Sequence, residues 1–157
     1  MSVDPRVARM VADADVLAAD LLVGDSAREA MDVVRAHDWL ELVASDHLLE
    51  EATGVIADLA DRPLADAWRG KVEGLVRTVS HPPDDHPGVA AAIQGDAGHL
   101  LSLDPELVSP EGNARISGRA DLSIRRPAAF VSIFDPADMY ELVVGGRYPG
   151  PDRDPCD

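Results

Sequence analysis

The stretch Val7-Ala8-Arg9-Met10-Val11-Ala12-Asp13-Ala14-Asp15-Val16-Leu17 decides how the chain is read. Its apolar run over residues 7–12 has the character of a buried strand, and the run stops at an acid. A carboxylate that ends a buried strand costs desolvation energy unless it is paired or bound to a cation. Asp13 is therefore a candidate functional residue. The residues after it turn into helix.

Working outward, Ser26 and Glu29 have capping-box spacing and predict a helix to about residue 37, with Ala30, Met31, Val33 and Val34 near one face. Residues 40–44 predict a short strand, and Ser45 a cap for a helix over 46–59. A helix from Pro63 places Ala67, Trp68 and Val72 at helical spacing. Residues 75–79 form a β-type run. Three prolines in His81-Pro82-Pro83-Asp84-Asp85-His86-Pro87 forbid regular structure, and Pro87 suits the first position of a helix over 88–94. An apolar strand over 99–103 ends at Asp104, and Pro105 opens a short helical turn. Residues 112–118 read as irregular, 122–126 as a last strand, and 127–134 and 136–144 as terminal helices. The expected organisation is one domain over residues 1–147 and a disordered acidic tail over 148–157. Strands alternating with helices predict an α/β fold, a three-layer α/β/α sandwich around a mainly parallel sheet. Sites in such sheets form beyond the carboxyl ends of the strands.

Composition bounds the rest. A chain of 157 residues suits one core, and 46% hydrophobic residues are enough to fill it. The lone Cys156 excludes an internal disulfide and a Cys/His zinc pattern. No long apolar run and no basic leader occur, so a cytoplasmic protein that does not enter the membrane is expected. The net charge is −15, from 29 acids against 14 bases, and Lys71 is the only lysine. This profile resembles proteins of salt-adapted microbes. In dilute buffer such a charge argues against nucleic-acid partners, but molar salt shortens the Debye length to about 3 Å.

Four places put acids where a site should form: Asp13; Glu50 and Glu51 early in the third helix; Asp84 and Asp85 before Pro87; and Asp104. Asp85 and Asp104 each have a plain reading as helix caps. Converging carboxylates repel one another, and a divalent cation relieves that repulsion. Oxygen ligands without Cys or paired His suit Mg2+ or Mn2+.

The run from Val11 to Leu17 resembles the opening motif of PIN-domain nucleases, an apolar strand followed by Asp-x-Asn-Val-Leu. Ser45-Asp46-His47-Leu48-Leu49-Glu50-Glu51 is similar to their second motif, with Glu51 the better match and Glu50 the second choice. Asp85 ahead of Val89-Ala90-Ala91-Ala92 resembles the third acid. Ala97-Gly98-His99-Leu100-Leu101-Ser102-Leu103-Asp104 resembles the closing motif, Thr/Ser-x-Asp after a strand. Asp15 stands where the family has Asn and Ser102 where it has Thr. The interval from Asp85 to Asp104 is one residue longer than the family spacing, which leaves Asp84 and His86 open for the third position.

The resemblance implies a metal-dependent ribonuclease, often a homodimer and in places the toxin partner of an antitoxin protein. It implies Asp13, Asp85 and Asp104 as ligands of Mg2+ or Mn2+, Glu51 as ligand or outer support, and Ser102 bracing the site. Asp15 braces the loop. The family also has members that act as interaction modules. Trp39 and Trp68 read as core or rim residues, His47, His86 and His99 as hydrogen-bonded histidines, and Arg125-Arg126 as a possible RNA contact. Asp13-x-Asp15 also fits haloacid-dehalogenase-type phosphatases, but Leu17 replaces their Thr or Val, and Lys71 falls within a helix. A phosphoacceptor receiver domain would need a lysine after its last active strand, and none is there.

The charge generates a test. Self-repulsion destabilises a compact acidic chain, and salt screens it. The helical circular dichroism should be full in molar KCl and fall near 50 mM KCl. Full structure in metal-free dilute buffer would remove the salt-adaptation argument.

Overall fold

The computed structural model describes residues 8–82, 86–117 and 122–151. Among these, five strands alternate with helices: β1 (Arg9–Ala12), β2 (Glu41–Ser45), β3 (Arg77–Val79), β4 (His99–Leu101) and β5 (Ser123–Arg125). All neighbours pair in parallel, in the order β3-β2-β1-β4-β5. Helices α1 (Ala14–Leu22) and α2 (Asp25–Arg35) join β1 to β2, and α3 (Asp46–Leu59) and α4 (Arg62–Glu73) join β2 to β3. Helix α5 (Pro87–Gln94) leads into β4, and α6 (Pro105–Val108) and α7 (Pro110–Ser117) lead towards β5. Helices α8 (Pro127–Ile133) and α9 (Pro136–Val143) follow. The architecture is the expected three-layer α/β sandwich, and its sheet is parallel throughout. No helix among the described residues is long and apolar enough to cross a membrane.

The central strands read as continuous apolar runs because helices cover both faces of a parallel sheet. Met10, Val11, Ala12, Leu42, Val43 and Leu100 are all buried. The chain builds outward from β1 through β2 to β3, then returns to the other side of β1 for β4 and β5. The winding reverses between β1 and β4. A crevice opens beyond the carboxyl ends of strands at such a reversal.

Local chemistry sets the helix starts, and three of them differ from the sequence reading. Helix α2 begins at Asp25 rather than through a Ser26–Glu29 capping box, and its cap, Gly24, has φ 91° and no side-chain bond. Glycine takes that backbone freely. The Arg28 guanidinium lies against it and donates to the carbonyl of Asp20 at 2.9 Å, closing the end of α1. Helix α4 starts one residue before Pro63 because Asp61 caps it, and Ala65 rather than Ala67 joins Trp68 and Val72 inside. Residues 110–117 form α7, where irregular chain was expected. Pro110 takes its first position and the Ser109 hydroxyl accepts from Gly112 N at 3.0 Å.

Tyr148, placed in the tail by its sequence, packs on the domain. Its hydroxyl donates to His37 Nε2 at 2.5 Å, and Tyr140 sits edge-on to Trp39 with ring centres 5.5 Å apart. Of the rest of the expected tail, residues 149–151 are described and residues 152–157 lie outside the described residues.

An inward-facing ion pair ties α1 to α2. Arg35 grips buried Asp20 in a fork, at 2.7 and 2.8 Å, and also meets Asp32 at 2.6 Å. Removing one member of a desolvated pair strands the other. Asp20→Ala should cost roughly 2–3 kcal/mol, and most of that loss should persist in 1 M KCl because partly buried pairs are weakly screened. Asp66→Ala, which breaks the exposed pair with Arg62, should cost less than about 1 kcal/mol. Urea melts in 1 M KCl make the comparison, and equal losses in the two variants would refute the assignment.

Candidate functional site

Asp13 leaves β1 at the winding reversal and caps α1. Its backbone N–H continues the ladder to Leu101 O at 2.8 Å, and its Oδ1 accepts from Ala14 N at 2.9 Å. The carboxylate is buried, at 6% exposure, yet both oxygens are engaged. Oδ2 accepts from the hydroxyl of Ser102 at 3.0 Å. Ser102 is itself fully buried just past β4, and its hydroxyl also accepts from Asp104 N at 3.0 Å. Asp104 then caps α6, with Oδ1 accepting from Glu106 N at 2.9 Å. Asp13, Ser102 and Asp104 thus form one connected set at the switch point.

Asp15, on the first turn of α1, reaches the same loop. Its Oδ2 accepts from Leu103 N at 3.2 Å, while its Oδ1 is buried without a hydrogen-bond partner. Burial, and then the nearby charge of Asp13, push its carboxyl up to about 6, against the pull of the Leu103 and Val16 amides; Asp104 adds a further push.

Helix α5 closes the other side. His86 caps it through Nδ1, which accepts from Val89 N at 3.3 Å, so the hydrogen of the neutral ring sits on Nε2. That Nε2 lies 3.8 Å from Asp13 Oδ2. Gly88 is the second residue of α5, and a Cβ there would stand 3.0 Å from Asp13 Oδ1. A side chain at 88 would press on the carboxylate and ask it to give by a few tenths of an ångström.

Of the acids expected at the site, Asp13 and Asp104 are brought together, and Ser102 joins them. Asp84 and Asp85 lie outside the described residues. Glu50 and Glu51 are exposed on α3, and neither makes an ion pair or side-chain hydrogen bond among the described residues. Asp15, expected to brace the loop, does so through Leu103. Among the described residues, no group of three or more His, Cys, Asp or Glu forms a ready metal-ligand set.

Two features escaped the sequence reading. The Gly88 approach is one. The other is a buried bond between His81 Nε2 and the Ser45 hydroxyl at 2.7 Å, with His81 Nδ1 donating to Pro82 O at 2.9 Å. Ser45 was legible as the cap of α3, which it is, with Leu48 N donating to its hydroxyl at 3.1 Å. Its second partner comes from 36 residues away, and nothing local signals it. A separate cavity of about 240 Å³ opens at the amino end of β2, beside Asp38, Glu41 and Arg77. It lies at the opposite edge of the sheet from the carboxylates, and its charged pair, Arg77 and Glu41, is self-satisfied at 3.5 Å.

The chain belongs to DUF7384, a family of unknown function, whose model matches residues 4–156. No curated protein and no solved structure matches it.

Asp15 gives the site a pH signature. Its carboxyl holds a proton to about pH 6 in the folded chain, against 3.8 for the ordinary side chain. The folded state therefore binds more protons between those values. The stability this group supplies is present at the acid end and is lost as pH rises through 6. Asp15→Asn keeps the acceptor for Leu103 N and removes the titration. In EDTA, its melting temperature should rise relative to wild type between pH 5 and pH 7.5. A difference that stays flat across that window would show that Asp15 carries no such burden.

Proposed function

We propose that this member of DUF7384 is a metal-dependent ribonuclease of the PIN type. The observation that carries the reading is the meeting of the Asp13 carboxylate and the Asp104 backbone amide on the hydroxyl of Ser102 at the switch point. Two strands that are distant in sequence deliver acids to the place where a doubly wound sheet puts its ligand.

The donors suit Mg2+ or Mn2+ in kind. They are carboxylate oxygens, they crowd like charges, and one buried oxygen, Asp15 Oδ1, has no partner. Asp13 and Asp104 would hold the ion, together with Asp85 from the stretch the sequence resemblance assigns. A bound divalent cation supplies Lewis acidity and an activated water for phosphodiester hydrolysis. Asp13 is held in one orientation by Ala14 N and the Ser102 hydroxyl. Asp15 accepts from Leu103 N and so ties the 102–104 loop to the start of α1. His86 presents a ring N–H towards the same carboxylate. The homodimer, the antitoxin partner and the cytoplasmic location belong to this proposal as well.

A second reading is a PIN-like interaction module with a weak or inactive site. The lack of a three-residue ligand set among the described residues favours it, as does exposed Glu51. The phosphatase reading gains no support, because Lys71 is exposed near the end of α4.

Manganese- or magnesium-dependent cleavage of single-stranded RNA in molar KCl is the expected activity. Asp13→Asn and Asp104→Asn should each reduce it at least 100-fold, and Ser102→Ala less. Manganese at about 100 times its dissociation constant should stabilise the wild type by roughly 2.7 kcal/mol, and Asp13→Asn should lose most of that gain. Equal activity in both aspartate variants would remove the carboxylates from the mechanism. A wild type that neither cuts RNA nor gains stability from manganese would leave the interaction-module reading in place.

A further inference from the structure

The arginines of this chain are unevenly spent. Acids outnumber bases 29 to 14, so partners are abundant. Arg9, Arg28, Arg35, Arg62, Arg69 and Arg77 each engage a carboxylate or a carbonyl. Arg125 and Arg126 engage none among the described residues, a state shared by Arg147 near the end of the described chain. They are adjacent, Arg125 half-buried and Arg126 exposed.

Their place in the sheet gives this meaning. The parallel register aligns Ala12 with Leu101 and Leu101 with Arg125, across β1, β4 and β5. One step further along each strand stand Asp13, Ser102 and Arg126. The row is locked by Asp13 N donating to Leu101 O at 2.8 Å and Ser102 N donating to Arg125 O at 3.0 Å. Neighbouring strands lie about 4.8 Å apart, so the arginine backbone is roughly 10 Å from that of Asp13. Arg126 therefore continues the row of Asp13 and Ser102 at the carboxyl end of the sheet, and Arg125 stands one position before it.

A carboxylate cluster alone repels a phosphodiester strand, and the net charge of −15 adds to that. Association needs a local positive feature to offset this field. Arginine forks match phosphate oxygens bidentately. We propose that Arg125 and Arg126 form the phosphate-binding subsite of this site, gripping the backbone of a single-stranded RNA on the β5 side of Asp13 and Asp104. The inference rests on the ribonuclease reading for its substrate, but it is a statement about binding and is tested without cleavage.

The test is fluorescence anisotropy with the full chain and a labelled oligouridylate, in EDTA, over 0.3 to 1 M KCl. Each phosphate contact to a single strand contributes about 0.7 to the slope of log affinity against log salt. Arg125→Gln/Arg126→Gln should weaken binding at least tenfold and flatten the slope by about 1.4. Arg125→Lys/Arg126→Lys, which keeps the charge, should restore most of the slope, and Arg62→Gln should change neither quantity. Circular dichroism confirms that each variant is folded. Binding within twofold of wild type, with an unchanged slope, in the glutamine variant overturns the subsite while leaving the nuclease reading standing. Loss of binding in that variant, with no cleavage by the wild type under any metal, supports the subsite and overturns the nuclease reading. A wild type that binds no RNA overturns both.

Discussion

Ser102 stands fully buried where β4 gives way to loop, and its hydroxyl serves two masters. It donates to Asp13 on the neighbouring strand and accepts from the amide of Asp104 two residues on. A hydroxyl is the smallest group able to do both. Alanine here would take a donor from a buried carboxylate and leave a part-buried amide without its acceptor, each a cost of about 1–3 kcal/mol. The exits of β1 and β4 are held together by this bond, and the spacing of the two acids follows from it.

Around that bond the fold holds a tension in check. Three carboxylates approach one another, and the raised proton affinity of Asp15 records first its burial and then that crowding of charge. Helix starts offset part of it. Asp13 caps α1, Asp104 caps α6 and His86 caps α5, so backbone N–H groups and the positive ends of helix dipoles are aimed at the crowded edge. The His81–Ser45 bond does similar work beside β2, tying the chain after β3 to the start of α3. Capping alone accounts for the Asp104 contact with Glu106. It does not account for a partnerless, buried Asp15 oxygen or for a glycine that lets α5 press against Asp13.

The fold was largely legible in the sequence because its strands are short apolar runs punctuated by acids, serines and prolines. Asp13, Ser45, Pro87 and Asp104 all sit at the element starts their chemistry predicts. The errors were local contests. Gly24 with Arg28 outcompeted a capping box, and Ser109-Pro110 started a helix in a stretch whose glycine suggested irregular chain. The strand order was not legible, since alternation predicts parallel pairing without saying which strands are neighbours. The site was half legible for the same reason. Asp13 shows itself as an acid closing an apolar run, but its bond to Ser102 spans 89 positions. Glu51 was chosen by motif register, which fixes position along a helix without fixing the face it turns.

The acidic surface and a nucleic-acid substrate look incompatible until distance is considered. In molar salt the potential of an exposed charge falls e-fold over about 3 Å, so distant acids would weigh little at the site. What remains are charges within a few ångströms of the ligand, and these are arranged in order along one edge of the sheet. Acids follow β1 and β4, and at the end of β5 stand Arg125 and Arg126, which engage no acid among the described residues. On the ribonuclease reading, a phosphodiester strand would meet opposite needs at two points there, a cation held by the acids and a fork offered by the arginines. In molar salt a globally repulsive molecule would be ruled by its nearest neighbours. The register of three strands, rather than the total charge, then decides what the edge will bind.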